Sequence, residues 1–205
     1  MADFHFLDKR VQRTKYDLFH ALFELLKLKK YETISIKEIV ELARYSRGTF
    51  YAHYSSKDEL LFEIIDLLFK EMTGAYRRTY LDRNSIDVQG LVDEPYNLLT
   101  HFKKYGEYYQ ILLGNHVHID FRTKITNEII NIYMEDFTIP ESSDGKKVDE
   151  NLVNRFYSYG LTGLILEWIE DDFPLDPKEF SVELVKTFQY SRETIQIKNK
   201  FIKRQ

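Results

Sequence analysis

Residues 46–57 read SRGTFYAHYSSK, a stretch of polar and aromatic side chains with scarcely an aliphatic one. Arg47 can form two parallel hydrogen bonds with the O6 and N7 atoms of guanine, and Thr49 can offer a hydroxyl to a base or a methyl group to thymine. Gly48 stands between them although glycine costs a helix about 1 kcal/mol relative to alanine, which indicates that a larger side chain would collide with a neighbouring surface. These residue types predict either a solvated loop or a surface that contacts another molecule.

The segment before this stretch predicts the elements that would position it. Residues 35–43 carry an apolar stripe at helical spacing, and Ser35 followed three residues later by Glu38 is the capping-box pattern that begins a helix. The pattern breaks for about three residues at 44–46 and then resumes at helical spacing. Two short helices joined by a three-residue turn form the helix-turn-helix plan, in which the second helix enters the major groove of DNA.

Helical periodicity continues along the remainder of the chain. With only 8 glycines and 4 prolines, and without strand-like alternation bounded by turn residues, the sequence predicts an all-α fold. Ser56 with Glu59 predicts the start of a long fourth helix, and Asp93 and Pro95 fit the N-cap and first turn of the next. The remaining helices are predicted at about 9–29, 106–114, 118–137, 149–171 and 177–200.

The charge is distributed unevenly along the 205 residues. Residues 1–57 hold 11 Lys and Arg against 7 Asp and Glu, whereas residues 58–205 hold 18 against 26, so a basic head precedes an acidic body. No stretch of about 18 residues is free of charge and the N-terminus lacks an apolar signal core, so we expect no membrane span, no secretion and a cytoplasmic location. The absence of cysteine excludes disulfides, thiolate metal sites and a cysteine nucleophile.

The segment ISIKEIVELARYSRGTFYAHYSSKDELLFEII resembles the N-terminal region of TetR-family bacterial transcription regulators. In that family an Ile-Ala-x-x-Ala-like second helix, a short turn, a Ser-x-x-Thr-hydrophobe-Tyr-x-His-aromatic recognition helix and a Lys-x-x-Leu helix start occur together. The resemblance covers roughly residues 9–65, and it implies a three-helix DNA-binding domain followed by a larger helical ligand-binding and dimerisation domain. Arg44 departs from the family pattern, because family members commonly have Gly at this turn position, which favours positive φ.

The resemblance and the chemistry of the side chains together imply a set of DNA contacts. Base contacts are expected from the start of the recognition helix, and phosphate contacts from its end and from the N-terminus of the second helix. Phe50 is expected in the core, whereas for Tyr54 both packing and phosphate contact stay open. The predicted DNA-binding residues are Thr33, Ser35, Lys37, Ser46, Arg47, Gly48, Thr49, Tyr51, His53, Tyr54 and Lys57.

Signatures of enzymes and metal sites were sought in the same way. His116, His118 and Asp120 alternate with a period of two, which suits a strand or loop better than the ligand face of a helix, and neither HExxH nor Glu-x-x-His occurs. We therefore predict no metal, no cofactor and no enzymatic activity. A helical enzyme ranks third among the function classes considered.

The body is rich in aromatic residues, which at helical spacing are more often core than pocket. As a group they leave room for a small-molecule cavity, the commonest use of this region in the family, and their rings predict an apolar or flat effector. The residues predicted to line that cavity are Phe102, Tyr105, Tyr109, Phe121, Tyr133 and Trp168.

The last two predicted helices carry apolar stripes that predict a homodimer through residues 149–200. The residues expected in the contact are Leu161, Leu164, Ile165, Trp168, Leu184, Phe188 and Ile195, with Gly160 and Gly163 allowing close approach. The resulting hypothesis is a regulator with a DNA-binding domain at 1–57 and an effector-binding domain at 58–205. It would bind a palindromic operator as a repressor and be released by a small molecule. The alternative is a helical coactivator that keeps the fold and binds another protein.

Overall fold

The computed structural model describes residues 9–81, 95–138 and 149–190. Within these ranges the chain forms α-helices and one 3₁₀ turn, Tyr31–Thr33, and no strand, which confirms the predicted all-α fold. None of the described helices has both the length and the apolar character that crossing a bilayer requires. The helices are α1 (Lys9–Leu28), α2 (Ile36–Ala43), α3 (Arg47–Tyr51), α4 (Lys57–Arg77), α5 (Tyr96–Lys104), α6 (Gly106–Leu113), α7 (Phe121–Asp136), α8 (Glu150–Glu170) and α9 (Pro177–Gln189).

The head consists of α1, α2 and α3, and the start of α2 forms as the sequence predicts. The Ser35 hydroxyl accepts from the Glu38 N–H and the Glu38 carboxylate accepts from the Ser35 N–H, so the predicted capping box is present. Phe50 is completely buried against the head core, as expected. Because the two short helices are capped and share one apolar centre, α3 has a fixed position on α2.

Helix α4 begins in the head and ends in the body. Ser56 is its N-cap, with the hydroxyl accepting from the Glu59 N–H, as predicted. Along its length α4 packs against α1, then α5 and α7, while α7 packs along α8 and α5 packs against α9. Near its end the Arg77 guanidinium donates two hydrogen bonds to Asp136 of α7 at 2.8 and 3.0 Å. One helix therefore connects the DNA-binding elements to the body.

Several helix boundaries differ from the sequence-based expectations, among them the end of α9, which lies at Gln189 and not at about 200. Pro95 is the N-cap of α5 and not a first-turn residue, and Asp93 lies outside the described residues. Helix α7 begins at Phe121 because Asp120 caps it, which leaves 114–120 as a loop. Helix α3 ends at Tyr51, three residues earlier than the spacing predicts.

Candidate nucleic-acid interface

The turn between α2 and α3 has a positive φ at Arg44, although arginine stands there where glycine is common. Arg44 adopts the left-handed region with φ 62° and ψ 38°, and the Tyr45 N–H closes the end of α2 by donating to the Val40 carbonyl at 2.8 Å. Residues other than glycine cost about 1–2 kcal/mol in this region. The turn thus keeps the geometry that glycine would favour, with an exposed arginine side chain at its centre.

The first turn of α3 presents the predicted base-contacting residues to solvent. Ser46 caps the helix by accepting from the Thr49 N–H at 3.0 Å, and the two hydroxyl groups also lie 3.0 Å apart. Arg47 is exposed and makes no hydrogen bond or ion pair with any residue in the described ranges. A Cβ atom added at Gly48 would meet only the Ser46 Oγ at 3.6 Å, an ordinary contact, so the fold itself does not require glycine there.

The far end of α3 combines exposed and buried aromatic rings. Tyr51 is 57% exposed, and its ring stands edge-on against the buried Phe50 with centroids 5.6 Å apart. His53 is half-buried beside Tyr54. Tyr51 and His53 therefore lie at the same end of α3, and their contact with DNA stays a prediction.

The N-terminus of α2 supplies a second set of exposed polar groups. Thr33 and Ser35 are exposed, although their hydroxyl groups already take part in turn and capping hydrogen bonds. Lys37 is exposed and forms only a loose surface pair with Glu41 at 3.7 Å. A surface ion pair of this kind contributes little to stability, so Lys37 remains available to an anion.

Tyr54 does not belong to this surface, and its prediction as a DNA contact is corrected. The side chain is 2% exposed, it packs on Phe50 with ring centroids 5.6 Å apart, and the Lys15 ammonium lies 5.2 Å from its centroid. Burial raises the pKa of the phenol above its ordinary value, so the group stays neutral. Of the two alternatives for Tyr54, packing is the one that the structure contains.

Lys57 is also corrected, because its ammonium is used within the chain. The Nζ atom donates to the carbonyl oxygens of Tyr31 at 2.7 Å, Ile34 at 2.8 Å and Glu32 at 3.3 Å, and it lies 4.4 Å from the Tyr31 ring centroid. An ammonium has three N–H groups, all of which have acceptors here. Lys57 therefore holds the 3₁₀ turn against the start of α4 and has no donor left for a phosphate.

The six predicted effector residues lie in three separate packed groups. Phe102, Tyr109 and Phe121 are at most 1% exposed and contact each other in one chain of rings, with Tyr105 beside them. Trp168 is stacked on Phe180 in a second group. Tyr133 packs with Tyr76 and Phe137 in a third. The described residues thus do not bring the six rings together around one cavity, because the rings fill the core themselves.

The first aromatic group includes a buried polar pair that the sequence did not indicate. His101 Nε2 lies 2.8 Å from the Tyr109 hydroxyl, and both side chains are buried. Burial, together with the nearby charges of Lys104 and Arg78, lowers the pKa of His101 to about 3, so the imidazole is neutral. The Tyr105 hydroxyl beside them is buried and has no hydrogen-bond partner among the described residues.

Two depressions on the described part of the chain are open to solvent. One, of about 520 Å³, lies on the concave side of the loop between α6 and α7, and Phe121 is the single predicted effector residue in its lining. No group of three or more His, Asp or Glu side chains in the described ranges is placed to hold a metal ion. His116 and His118 instead lie on a loop that contacts the head.

Helix α8 has two opposite apolar stripes, and the structure buries four of the seven apolar residues predicted in the dimer contact. Leu161, Ile165 and Trp168 are at most 3% exposed inside their own domain, as is Leu184 of α9, whereas Leu164 is 36% exposed. Phe188 is half-buried, and Ile195 lies outside the described residues. The stripe that faces solvent consists of Leu152, Phe156, Tyr159, Gly160 and Gly163.

This exposed stripe was missed although its signal is present in the sequence. Leu152, Phe156, Tyr159 and Gly163 follow one another at spacings of four, three and four residues, which places them on one side of a helix. Phe156 is 73% exposed, and a Cβ atom at Gly160 or Gly163 would meet nothing within 4 Å. An apolar face of this size indicates a surface that another molecule covers.

Comparisons with known proteins agree with this geometry. Residues 18–64 match the family model for bacterial regulatory proteins of the tetR family, and residues 95–190 match the model for a transcriptional regulator C-terminal region. The uncharacterized HTH-type transcriptional regulator YxbF of Bacillus subtilis (strain 168) is 19% identical over 163 residues, which are 78% of this chain and 41% of that protein. The chain therefore spans about two fifths of the length of this relative.

Solved structures share the fold at low identity. The dihydroxyacetone kinase operon activator DhaS has a TM-score of 0.59 at 17% identity, over 86% of this chain and 94% of that one. The fatty acid degradation regulator FadR from Bacillus halodurans has a TM-score of 0.56 at 14% identity, over 85% and 94%. A TetR transcriptional regulator from Streptococcus agalactiae 2603V has a TM-score of 0.51 at 20% identity, over 87% and 96%. With a helix-turn-helix head, a helical body and matches to family models over both, the chain belongs to the TetR family of transcriptional regulators.

Proposed function

We propose that the protein binds a near-palindromic DNA operator as a homodimer, through the exposed polar side of α3 and the N-terminus of α2. The observation that carries this proposal is the first turn of α3, where Arg47 is unpaired within the described residues and Gly48 leaves room that the fold does not use. A bidentate arginine reads guanine in the major groove, and a glycine beside it lets the backbone approach the DNA. Residues 1–57 would form the DNA-binding domain and 58–205 the effector-binding and dimerisation domain.

The dimer contact is proposed at the exposed stripe of α8. Two copies related by a twofold axis bury the same patch on each subunit, and Gly160 and Gly163 allow the helices to approach closely. A twofold protein matches a palindromic operator, because each recognition helix then faces an equivalent half-site about one DNA turn from the other. The stripe thus supports both the dimer and the symmetry of the operator.

The proposed regulation is repression, relieved by a small apolar effector that binds in the body. The packed aromatic groups mean that an effector would have to separate rings or enter beside them, since the described residues enclose no common cavity. The buried Tyr105 hydroxyl without a partner is a polar atom that such a ligand could satisfy. DhaS, which has the same fold, is named as an activator, so the sign needs its own measurement.

The alternative function is a coactivator that binds another protein, and one observation favours it. The rings predicted to line an effector cavity fill the core instead, and a regulator without a ligand cavity can be controlled by a protein partner. The two candidates differ in whether the head binds DNA at all.

Selection of bound fragments from genomic DNA by the purified protein tests the proposal. We expect one enriched near-palindromic sequence, with an affinity that falls steeply with salt because phosphate contacts release counterions. Arg47→Ala is expected to lose the enrichment, whereas Leu28→Ala, which changes an exposed residue at the end of α1, serves as the matched control and retains it. Absence of any enriched fragment at low salt, with or without cell extract, would favour the coactivator.

Mass measurement in solution tests the dimer contact. Phe156→Glu places a charge in the exposed stripe and is expected to shift the protein to the monomer at micromolar concentration. Phe62→Glu, which changes a 48% exposed ring on α4, is the control and should leave the dimer intact. A monomeric wild-type protein contradicts the proposed contact.

A further inference from the structure

We propose that His116, on the body loop between α6 and α7, is a positioning residue for the DNA contacts at the N-terminus of α2. This inference rests on the proposed function, because the contacts that it positions are those proposed for DNA. His116 belongs to no metal-binding group among the described residues, and no other part of the proposed mechanism uses it. It is half-buried at the junction between the body and the head.

His116 makes two hydrogen bonds to the head, one with its side chain and one with its backbone. Its Nδ1 lies 2.6 Å from the Leu26 carbonyl oxygen, and because a carbonyl can only accept, Nδ1 is the protonated nitrogen. Its own carbonyl accepts from the Tyr31 N–H at 2.8 Å. The body thereby satisfies a carbonyl in the last turn of α1 and the first N–H of the 3₁₀ turn, both of which lack partners within their own helices.

The residue that receives this contact is also held from the other side. The Tyr31 carbonyl accepts from Lys57, and the Tyr31 hydroxyl donates to Asp58 at 2.7 Å. Tyr31 is 8% exposed, so a free N–H there would be costly. Every polar group of Tyr31 is therefore satisfied, the N–H by the body and the other two by the start of α4.

The position of Tyr31 determines where the proposed phosphate contacts lie. Thr33 and Ser35 follow it by two and four residues, and Ser35 begins α2. A displacement of the 3₁₀ turn would move the N-terminus of α2, and α3, which has a fixed position on α2, would move with it. Because DNA binding needs both elements in register with the groove, the body loop contributes to affinity without touching DNA.

The test compares substitutions on the same loop. His116→Ala removes the imidazole donor, whereas His116→Asn keeps an N–H donor near the position of Nδ1 and is the conservative rescue. Asn115→Ala is the matched control, because the Asn115 side chain is exposed and makes no hydrogen bond or ion pair with a described residue. All variants are made in the full chain, and binding is measured at a temperature where each is fully folded.

Two readouts separate positioning from simple stability. For His116→Ala we expect operator binding about three- to tenfold weaker with an unchanged salt slope, since no phosphate contact is removed, and faster hydrogen exchange at the Tyr31 amide. His116→Asn should restore both, and Asn115→Ala should match the wild type. Lys37→Ala gives the opposite signature, a reduced salt slope with unchanged exchange at Tyr31.

The outcomes distinguish this inference from the proposed function. If the wild type binds its operator and His116→Ala binds with the same affinity, the positioning role is wrong. A wild type that selects no DNA contradicts the proposed function and the positioning role with it. Hydrogen exchange at Tyr31 then still decides whether His116 holds the turn, and unchanged exchange in His116→Ala shows that it does not.

Discussion

The head surface and the body interior both contain residues that the sequence analysis assigns to binding. These residues are exposed in the head and buried in the body. On α3 the notable side chains are exposed, and Arg47 has no partner among the described residues. In the body the rings of Phe102 and Tyr109 are completely buried and pack against each other. An exposed polar side chain without a partner in the described chain is free to bind another molecule. A buried aromatic ring already contributes to the stability of the fold.

The comparison also shows why aromatic content is a poor sign of a ligand site. Tyr51 and Tyr109 have the same side chain, yet Tyr51 is 57% exposed and Tyr109 is buried beside His101. Burial of a large ring stabilises the fold because it removes apolar area from water, whether or not the residue also binds a ligand. The two regions are therefore best separated by substitutions whose effects on stability and on DNA binding can be measured independently.

The largest expected effect is on stability in the body. Phe102→Ala should lower the free energy of unfolding by about 3–5 kcal/mol, because it removes a completely buried ring from a packed group. Tyr51→Ala on the head surface is the matched control and should change it by less than about 0.5 kcal/mol. Urea unfolding measures both, and a small cost for Phe102→Ala would reveal a cavity where the structure has a core.

The next effect is on DNA discrimination by the head. Arg47→Ala should lose about 1–3 kcal/mol of preference for the operator over a scrambled duplex, since one bidentate base contact is removed. Its stability should stay within about 0.5 kcal/mol of the wild type because the side chain has no partner in the described structure. Titration of both duplexes gives the result, and an equal loss on each duplex would assign Arg47 to phosphate.

A pH-dependent effect is expected from the buried histidine of the body. The pKa of His101 is about 3 in the folded chain against 6.5 for an ordinary histidine, so the unfolded chain binds a proton between these values that the folded chain does not. The free energy of unfolding should therefore fall as the pH falls below 6.5, with a contribution approaching about 1.4 kcal/mol per pH unit. His101→Gln should remove this contribution in urea titrations at pH 7, 6 and 5. Equal slopes in the two proteins would mean that His101 is not neutral and buried.

The smallest expected effect is that of Gly48→Ala, which should increase stability and weaken DNA binding. Gly48→Ala should raise the free energy of unfolding by up to about 1 kcal/mol, because alanine favours the helix and the added methyl group meets only Ser46 Oγ at 3.6 Å. The same methyl group should weaken operator binding if the backbone approaches DNA there. Thermal unfolding and DNA titration of one variant test both signs, and unchanged binding would place the DNA farther from α3.

Local features of the fold could be predicted from the sequence because they depend on neighbouring residues. The capping box of Ser35 and Glu38, the helix start at Ser56 and the burial of Phe50 all follow from spacing along one or two helices. The left-handed conformation at Arg44 also agrees with what a tight turn requires at that position.

Features that depend on distant residues could not be predicted in this way. Lys57 reaches carbonyl groups more than twenty residues away, so its use inside the chain is invisible to a motif. The two stripes of α8 have the same periodicity, and only the packing of α5, α6 and α7 against α8 decides that Leu161 faces inward and Phe156 outward. For Tyr54 the alternatives of packing and contact were equivalent until the position of α1 was known.

The hydrophobic core itself bears on how the chain folds. One cluster of buried side chains continues from Leu18 in α1 through Phe50 and Met72 to Leu184 in α9. Because this cluster includes buried side chains of both parts, the head and body are expected to unfold in a single cooperative transition, and a head cut at residue 57 would lose the α4 side chains that complete its core. The two parts then have different functions but do not fold independently. Mutations that destabilise the body therefore also reduce the amount of folded DNA-binding surface.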